Sequence, residues 1–374
     1  MVPILQSAIS LGLLWSLMAI GVYYTYRIMN MPDLSVEGTL ILGAGTVAYL
    51  IVNGGYDPDS FVYFISRGGN PFIATFLAMG VGALGGLVTG LLHTLFKIPS
   101  ILCGILTMIA SYSMALRIMG SPNIPLLRWT TYTIFTPLEQ TLYQAGVDNY
   151  RQFTIILIAF LIAVVTGVLL YCFAGTEIGS AMRATGNNRQ MVKAQGVNTN
   201  VMIVLCLMIS NGLVGLTGGL IAQQQGFADV GMGIGTIVAG LASVIIAEVL
   251  FQVRSFWMRL ISLVCGSIVY RLIIALVLEM GMNPSDLRLF TAITVAIALT
   301  LPTIRKNIVL AIRFLRQNIP LVIPFLRKTI PLIIPFLRRN IPLILPFLRR
   351  KISLILRFRK KIEKKIEDNQ QKGE

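Results

Sequence analysis

The sequence predicts an all-α protein, a polytopic transmembrane helical bundle of about nine spans, within a range of eight to ten. Composition predicts it first. Hydrophobic residues fill 55% of the 374 positions and charged residues only 12%, about half the charged share of a soluble domain. Pattern predicts it second. The apolar residues form long unbroken runs, whereas a membrane β-barrel alternates apolar and polar positions. Length predicts it third, because most runs reach the roughly 20 residues that a helix needs to cross a bilayer.

The runs fall at 3–26, 34–52, 71–95, 100–120, 153–174, 201–224, 235–251, 260–280 and 287–303. No Lys or Arg precedes Arg27, so the first run reads as a span and not as a cleavable signal. Span two opens on Asp33 and Glu37, four residues apart. Acids at a helix start are stabilised by its dipole, and these two are also candidates for the solute pathway. Glycines 82, 86 and 90, and glycines 215 and 219, recur every four residues. That spacing lets helices approach closely in lipid, and packing within one subunit is the expected use. The stretch 121–151 is polar and contains prolines, so it is expected outside the bilayer with a short amphipathic helix. Cys103, Cys172, Cys206 and Cys265 sit singly in apolar runs, without metal or redox spacing. They are expected to be small buried hydrophobes. His93 has no second ligand near it in sequence, and no metal site is expected.

Charge divides the chain. Residues 1–304 hold 13 basic and 11 acidic side chains, and residues 305–374 hold 18 basic and 4 acidic. A near-neutral membrane domain, 1–304, therefore precedes a basic tail, 305–374, that carries most of the +16 net charge. The tail repeats an 11-residue unit, as in RQNIPLVIPFL. Its paired prolines oppose a continuous helix, so it is expected to lie on the membrane surface or to be disordered. Basic residues concentrate on the cytoplasmic side of a membrane protein. Placing the tail there puts Arg27, Lys97, Arg183, Arg189, Lys193, Arg254 and Arg259 inside and Arg67, Arg128, Arg151 and Arg288 outside. The N-terminus is then outside and the C-terminus inside.

Residues 175–200, GTEIGSAMRATGNNRQMVKAQGVNTN, form a polar, basic, glycine-punctuated stretch between two spans. Glu177 stands where the positive end of a short helix favours an acid. Gly186 and Gly196 allow a helix to stop and turn. Arg183, Arg189 and Lys193 are expected to face a partner. No phosphate-binding loop of the G-x-x-x-x-G-K-[ST] kind occurs, and one histidine builds no hydrolytic triad, so the chain is not expected to be an enzyme. Among ionisable residues within spans, which are costly in lipid, Arg271 lies deepest.

The string from Thr176 and Glu177 through Gly179, Arg183-Ala184-Thr185-Gly186-Asn187-Asn188 and Ala194-Gln195-Gly196-Val197-Asn198 resembles the permease subunits of ABC importers. The superfamily is that of branched-chain amino-acid and ribose permeases, and the chain looks most like its tryptophan/tyrosine transport group. Met31-Pro32-Asp33-Leu34-Ser35-Val36-Glu37-Gly38-Thr39, followed by Leu42-Gly43-Ala44, carries a second likeness. The resemblance covers residues 1–304 and excludes the repeat tail. It implies an ATPase-coupling element containing Glu177, Gly179, Arg183, Ala184, Gly186, Arg189, Lys193 and Gly196. It implies a cytoplasmic ABC ATPase, an extracytoplasmic solute-binding protein and a second permease copy as partners, besides membrane lipids. ATP would be bound by the partner, with no cofactor on this chain. Asp33, Glu37 and Arg271 stand as solute-pathway candidates, and the solute is expected to be an amino acid. An ATP-independent secondary transporter or channel is the alternative. A third reading is a scaffold acting through its basic tail on anionic lipid, with nucleic acid not the expected partner.

Overall fold

The computed structural model describes residues 2–54, 68–127, 131–146, 149–251, 253, 255–279 and four isolated positions, 289, 293, 296 and 300. All of them fall within one compact unit, Met1–Pro302. The ninth expected span apart from those four positions, the repeat tail, and Arg67, Arg128, Arg254 and Arg288 lie outside the described residues.

Eight helical stretches among the described residues are long and apolar enough to cross a membrane. α1 (Val2–Tyr23) runs into a π-helical turn (Tyr24–Ile28) and is followed by α2 (Val36–Asn53), α3 (Pro71–Thr94) and α4 (Ser100–Met119). A short strand β1 (Asn123–Pro125) and α5 (Thr136–Gln144) precede α6 (Tyr150–Gly175). Two short helices, α7 (Glu177–Asn187) and α8 (Arg189–Ala194), lead to α9 (Thr199–Gln225). Strand β2 (Phe227–Asp229), a 3-10 turn (Val230–Gly233), α10 (Thr236–Phe251) and α11 (Phe256–Glu279) complete the unit. α5 is the short helix expected in 121–151. The strand pair was not expected. It pairs antiparallel with Ile124 opposite Ala228 and ties the end of α4 to the end of α9. Gly226, at φ 84°, makes the left-handed turn between α9 and β2.

The glycine ladders form the centre of the bundle. A Cβ on Gly82 would meet the Asn211 carbonyl, one on Gly86 the Leu207 carbonyl and one on Gly90 the Val204 Cα. α3 therefore lies backbone to backbone along α9. On another face of α9, Gly43 meets Gly215, and Gly218 meets the Leu40 carbonyl. The seams lie within one chain, as expected. α9 is accordingly among the most buried helices, with Leu220 and Ile221 fully enclosed. α3 and α6 instead expose Phe76, Leu84, Phe160 and Leu169, the surface a bilayer covers. Lipid lacks the hydrophobic drive to press helices together, so small residues at the seams do that work by close packing.

Two spans begin part-way through the bundle. Ser35 and Thr39, at the start of α2, hydrogen-bond Asn211. Asn211 stands about 18 Å along α9 from its Thr199 end, at 1.5 Å per residue. The chain thus returns from the end of α1 to mid-depth before α2 starts. The start of α10 meets it there, where the Gly235 amide donates to Glu37 Oε1 at 2.9 Å. Non-helical backbone at that depth is tolerated only inside protein or along a water-filled cavity, and in the segment at 29–35 Met29, Met31, Asp33 and Ser35 are buried while Asn30 and Pro32 are exposed.

Candidate functional site

α6 ends at Gly175, and one extended residue, Thr176 (ψ 165°), turns the chain into α7. The Thr176 hydroxyl accepts from the Gly179 amide at 3.2 Å, an N-cap that satisfies one of the helix's free donors. Glu177 is exposed in the first turn. The Asn188 side chain caps α8 by accepting from the Met191 amide at 3.1 Å. Gly196 (φ 85°) ends the pair, and Asn198 caps α9 by accepting from the Asn200 amide at 3.1 Å. Three side-chain caps therefore fix the path of this short stretch.

α7 has two faces. Gly179, Met182 and Thr185 are buried, and Met182 packs in one cluster with Tyr24, Ile28, Met29 and Cys206. A Cβ on Gly186 would be driven into the Ile28 carbonyl, and one on Gly179 into the Phe173 carbonyl. The expected stop at Gly186 is therefore corrected. Gly186 lies inside α7, and its missing side chain lets the helix rest on the backbone of the π turn. α7 ends one residue further on, where Asn188 makes the turn, and Gly196 makes the second turn as expected. Arg183 is half-buried. It folds inward, donating through Nη2 to the Ala174 carbonyl at 2.8 Å, and lies 5.7 Å from the Phe256 ring centre. Ala184 is half-buried, while Arg189 and Lys193 are exposed.

The π turn has its own supports from α9. Ser210 Oγ donates to the Gly21 carbonyl at 2.7 Å, and Cys206 Sγ to the Tyr24 carbonyl at 3.4 Å. A π turn disrupts the regular i to i−4 pattern, and these side chains satisfy acceptors around it.

Asp33 is 4% exposed. Its carboxylate accepts from the Ser35 amide (2.9 Å), the Ser35 hydroxyl (2.6 Å) and Asn211 Nδ2 (2.8 Å). Asn211 Oδ1 in turn accepts from Thr39 Oγ1 at 2.8 Å. This closed knot pins the start of α2 to α9, and all the donors on Asp33 are internal. Glu37, one helical turn on, points elsewhere. It is half-buried and lines a cavity of about 220 Å³ with Tyr112, Met108 and Ile234. Arg271 lies on α11, with its guanidinium 3.9 Å from the centre of the Trp15 ring. Among the described residues its Nε has no hydrogen-bond partner. The three pathway candidates therefore do not converge. Asp33 is buried in its knot, Glu37 borders an open cavity, and Arg271 stacks on α1.

Residues 4–301 match the family model described as branched-chain amino acid transport system / permease component. The chain belongs to this permease family. It is 39% identical to a tyrosine transport system permease protein of Clostridioides difficile (strain R20291), over 77% of this chain and 88% of that one. It is 30% identical to an uncharacterized protein of Rickettsia prowazekii (strain Madrid E), over 79% of this chain and 97% of that one. A galactofuranose transporter permease protein of Escherichia coli (strain K12) is 25% identical over 53% of this chain and 50% of its own length. No solved structure matches. The protein is thus a multi-pass cell-membrane component of an ABC-type transport system and not an enzyme.

In this permease the α7 end of the bundle gathers Arg27, Lys97, Arg183, Arg189, Lys193 and Arg259, while Arg151 opens α6 at the other end. Arg27 forms an ion pair with Glu248 of α10. The sequence reading missed Asn211, because it weighed only ionisable groups within spans. A lone asparagine in the middle of an apolar helix was the available signal. It also missed the π turn, which leaves no mark in hydropathy. Cys172 is exposed, against expectation, while Cys103 and Cys206 are buried. His93 is held by the Ile98 carbonyl at 2.8 Å.

Proposed function

We propose that this permease is the membrane-spanning subunit of an ATP-driven importer, with the α7 end facing the cytoplasm. A separate ABC ATPase docks on α7 and α8, where Arg189 and Lys193 offer it positive charge. Two copies of the permease form the pathway, and an extracytoplasmic binding protein delivers the solute to the opposite end. The solute is an amino acid, and the tyrosine system of the Clostridioides relative favours an aromatic one.

One observation carries the reading. α7 lies directly on the backbone of Ile28 at Gly186. From Ile28 the chain runs through 29–35 to the Asp33–Asn211 knot at the start of α2. A displacement of α7 by the ATPase therefore pushes on backbone that leads into the mid-depth start of a span. No flexible side chain lies between the helix and that backbone to absorb the movement. Electrostatics then serves docking, and packing serves transmission.

The test is ATP hydrolysis by the reconstituted complex with and without loaded binding protein. Gly186→Ala leaves the permease in the membrane with its ATPase bound, and solute stimulation of hydrolysis is lost. Full stimulation in that variant would remove the coupling role from this contact.

A further inference from the structure

A cavity of about 510 Å³ opens beside α7, where the π turn, α7, α10 and α11 come together. Arg27, Arg183, Arg259 and Glu248 line it. Among the described residues only Arg27 pairs with a carboxylate, that of Glu248. Arg259 donates to neutral groups, the Val253 carbonyl at 3.3 Å and the Tyr23 hydroxyl at 3.4 Å. Arg183 donates to the Ala174 carbonyl and the Ser180 hydroxyl, and its buried Nε has no partner among the described residues. Two guanidiniums without a carboxylate counter-ion thus face one cavity. Its volume falls in the range of small-ligand pockets, about 300–1,000 Å³, and its charge calls for an anion.

The rim decides which anion. Beside the cavity, the end of α10 exposes Leu250 and Phe251, and the first turn of α11 exposes Trp257 and Met258. The Trp257 ring meets Tyr171 of α6 edge-on, with 5.4 Å between centres. Exposed Trp and Tyr at helix ends mark the headgroup level of a bilayer. The rim therefore offers an apolar surface to acyl chains immediately outside an arginine-lined cavity. Basic pockets between spans on the cytoplasmic side take acidic headgroups, and a free phosphate would make no use of the rim.

We propose that this cavity holds the headgroup of an anionic phospholipid, with its phosphate between Arg183 and Arg259. The inference rests on the reading that the α7 end is cytoplasmic. Arg183 belongs to α7 and Arg259 to α11, so the lipid joins the coupling helix to a span and supports transmission between them.

The experiment uses the assembled permease–ATPase complex in nanodiscs of phosphatidylglycerol and phosphatidylcholine in equal amounts, with retained lipid counted by native mass spectrometry. The wild-type complex retains phosphatidylglycerol. Arg259→Gln lowers that retention about fivefold, the share of one surface cation, and Arg259→Lys restores most of it. Equal retention in Arg259→Gln overturns the proposal, and so does displacement of the lipid by excess inorganic phosphate, which would identify a free-anion site. Gln190→Cys, in a chain whose four native cysteines are serine, separates the two readings. Labelling by an impermeant maleimide from the cytoplasmic side alone, with retention unchanged in Arg259→Gln, sinks the lipid site only. Labelling from the outside sinks the orientation and the lipid site with it.

Discussion

Asn211 joins the mid-depth start of α2 to α9. It donates to Asp33 and accepts from Thr39 within a site closed to water. Asn211→Leu keeps the volume but leaves a buried carboxylate short of a donor. Losing a hydrogen bond to a buried charged group costs about 2–3 kcal/mol, so the midpoint of thermal unfolding in detergent falls. An unchanged midpoint would show that the knot contributes nothing to holding α2. Glu37 behaves differently, because its carboxylate meets a backbone amide at the start of α10. Glu37→Gln keeps an acceptor and gives up only the charge–dipole contribution, about 0.3–1 kcal/mol. Its effect on stability is therefore smaller than that of Asn211→Leu, and a larger loss would contradict the assignment. Among the described residues no carboxylate pairs with Arg271, and it stacks instead on Trp15, since a guanidinium over an indole face is attracted by the ring quadrupole.

At the scale of elements, the α3–α9 seam is set by Gly82, Gly86 and Gly90. Gly86→Leu would force the two backbones apart. Overpacking costs about 1–3 kcal/mol, so the variant unfolds at lower temperature, whereas Gly80→Leu, with open space around the glycine, does not. Equal behaviour of the two variants would refute the seam. These ladders were legible because glycine spacing records which helix faces meet in lipid. The lengths of the spans were legible from hydropathy for the same kind of reason. The re-entry at 29–35 and the half-depth start of α10 were not. Hydropathy reports how apolar a segment is, not the depth at which it begins. The inward hydrogen bond of Arg183 was not legible either, because a charge in a polar loop looks solvated. Its inward turn depends on a carbonyl at Ala174 and a ring at Phe256 that only the fold brings near. The α7–α8 element itself was plain from its polarity between two spans, and its caps, Thr176, Asn188 and Asn198, are residue types that stop and start helices.

For the whole molecule, the permease works as an importer only if a force applied at one end reaches the pathway. Packing offers that route through Gly186, Ile28 and the start of α2, and charge offers a docking face through Arg189 and Lys193. The two functions separate experimentally. Arg189→Glu combined with Lys193→Glu alters only exposed side chains, so the permease stays folded and inserted while the amount of ATPase that co-purifies with it falls. Undiminished co-purification would move the docking face elsewhere. The most direct test of the central claim is photo-crosslinking from an unnatural residue at Lys193 in membranes that contain the ATPase and the binding protein. The account predicts an adduct of the permease with the ATPase, formed on the cytoplasmic face. An adduct with the extracytoplasmic binding protein in its place, or efficient photoactivation without any ATPase adduct, would contradict it.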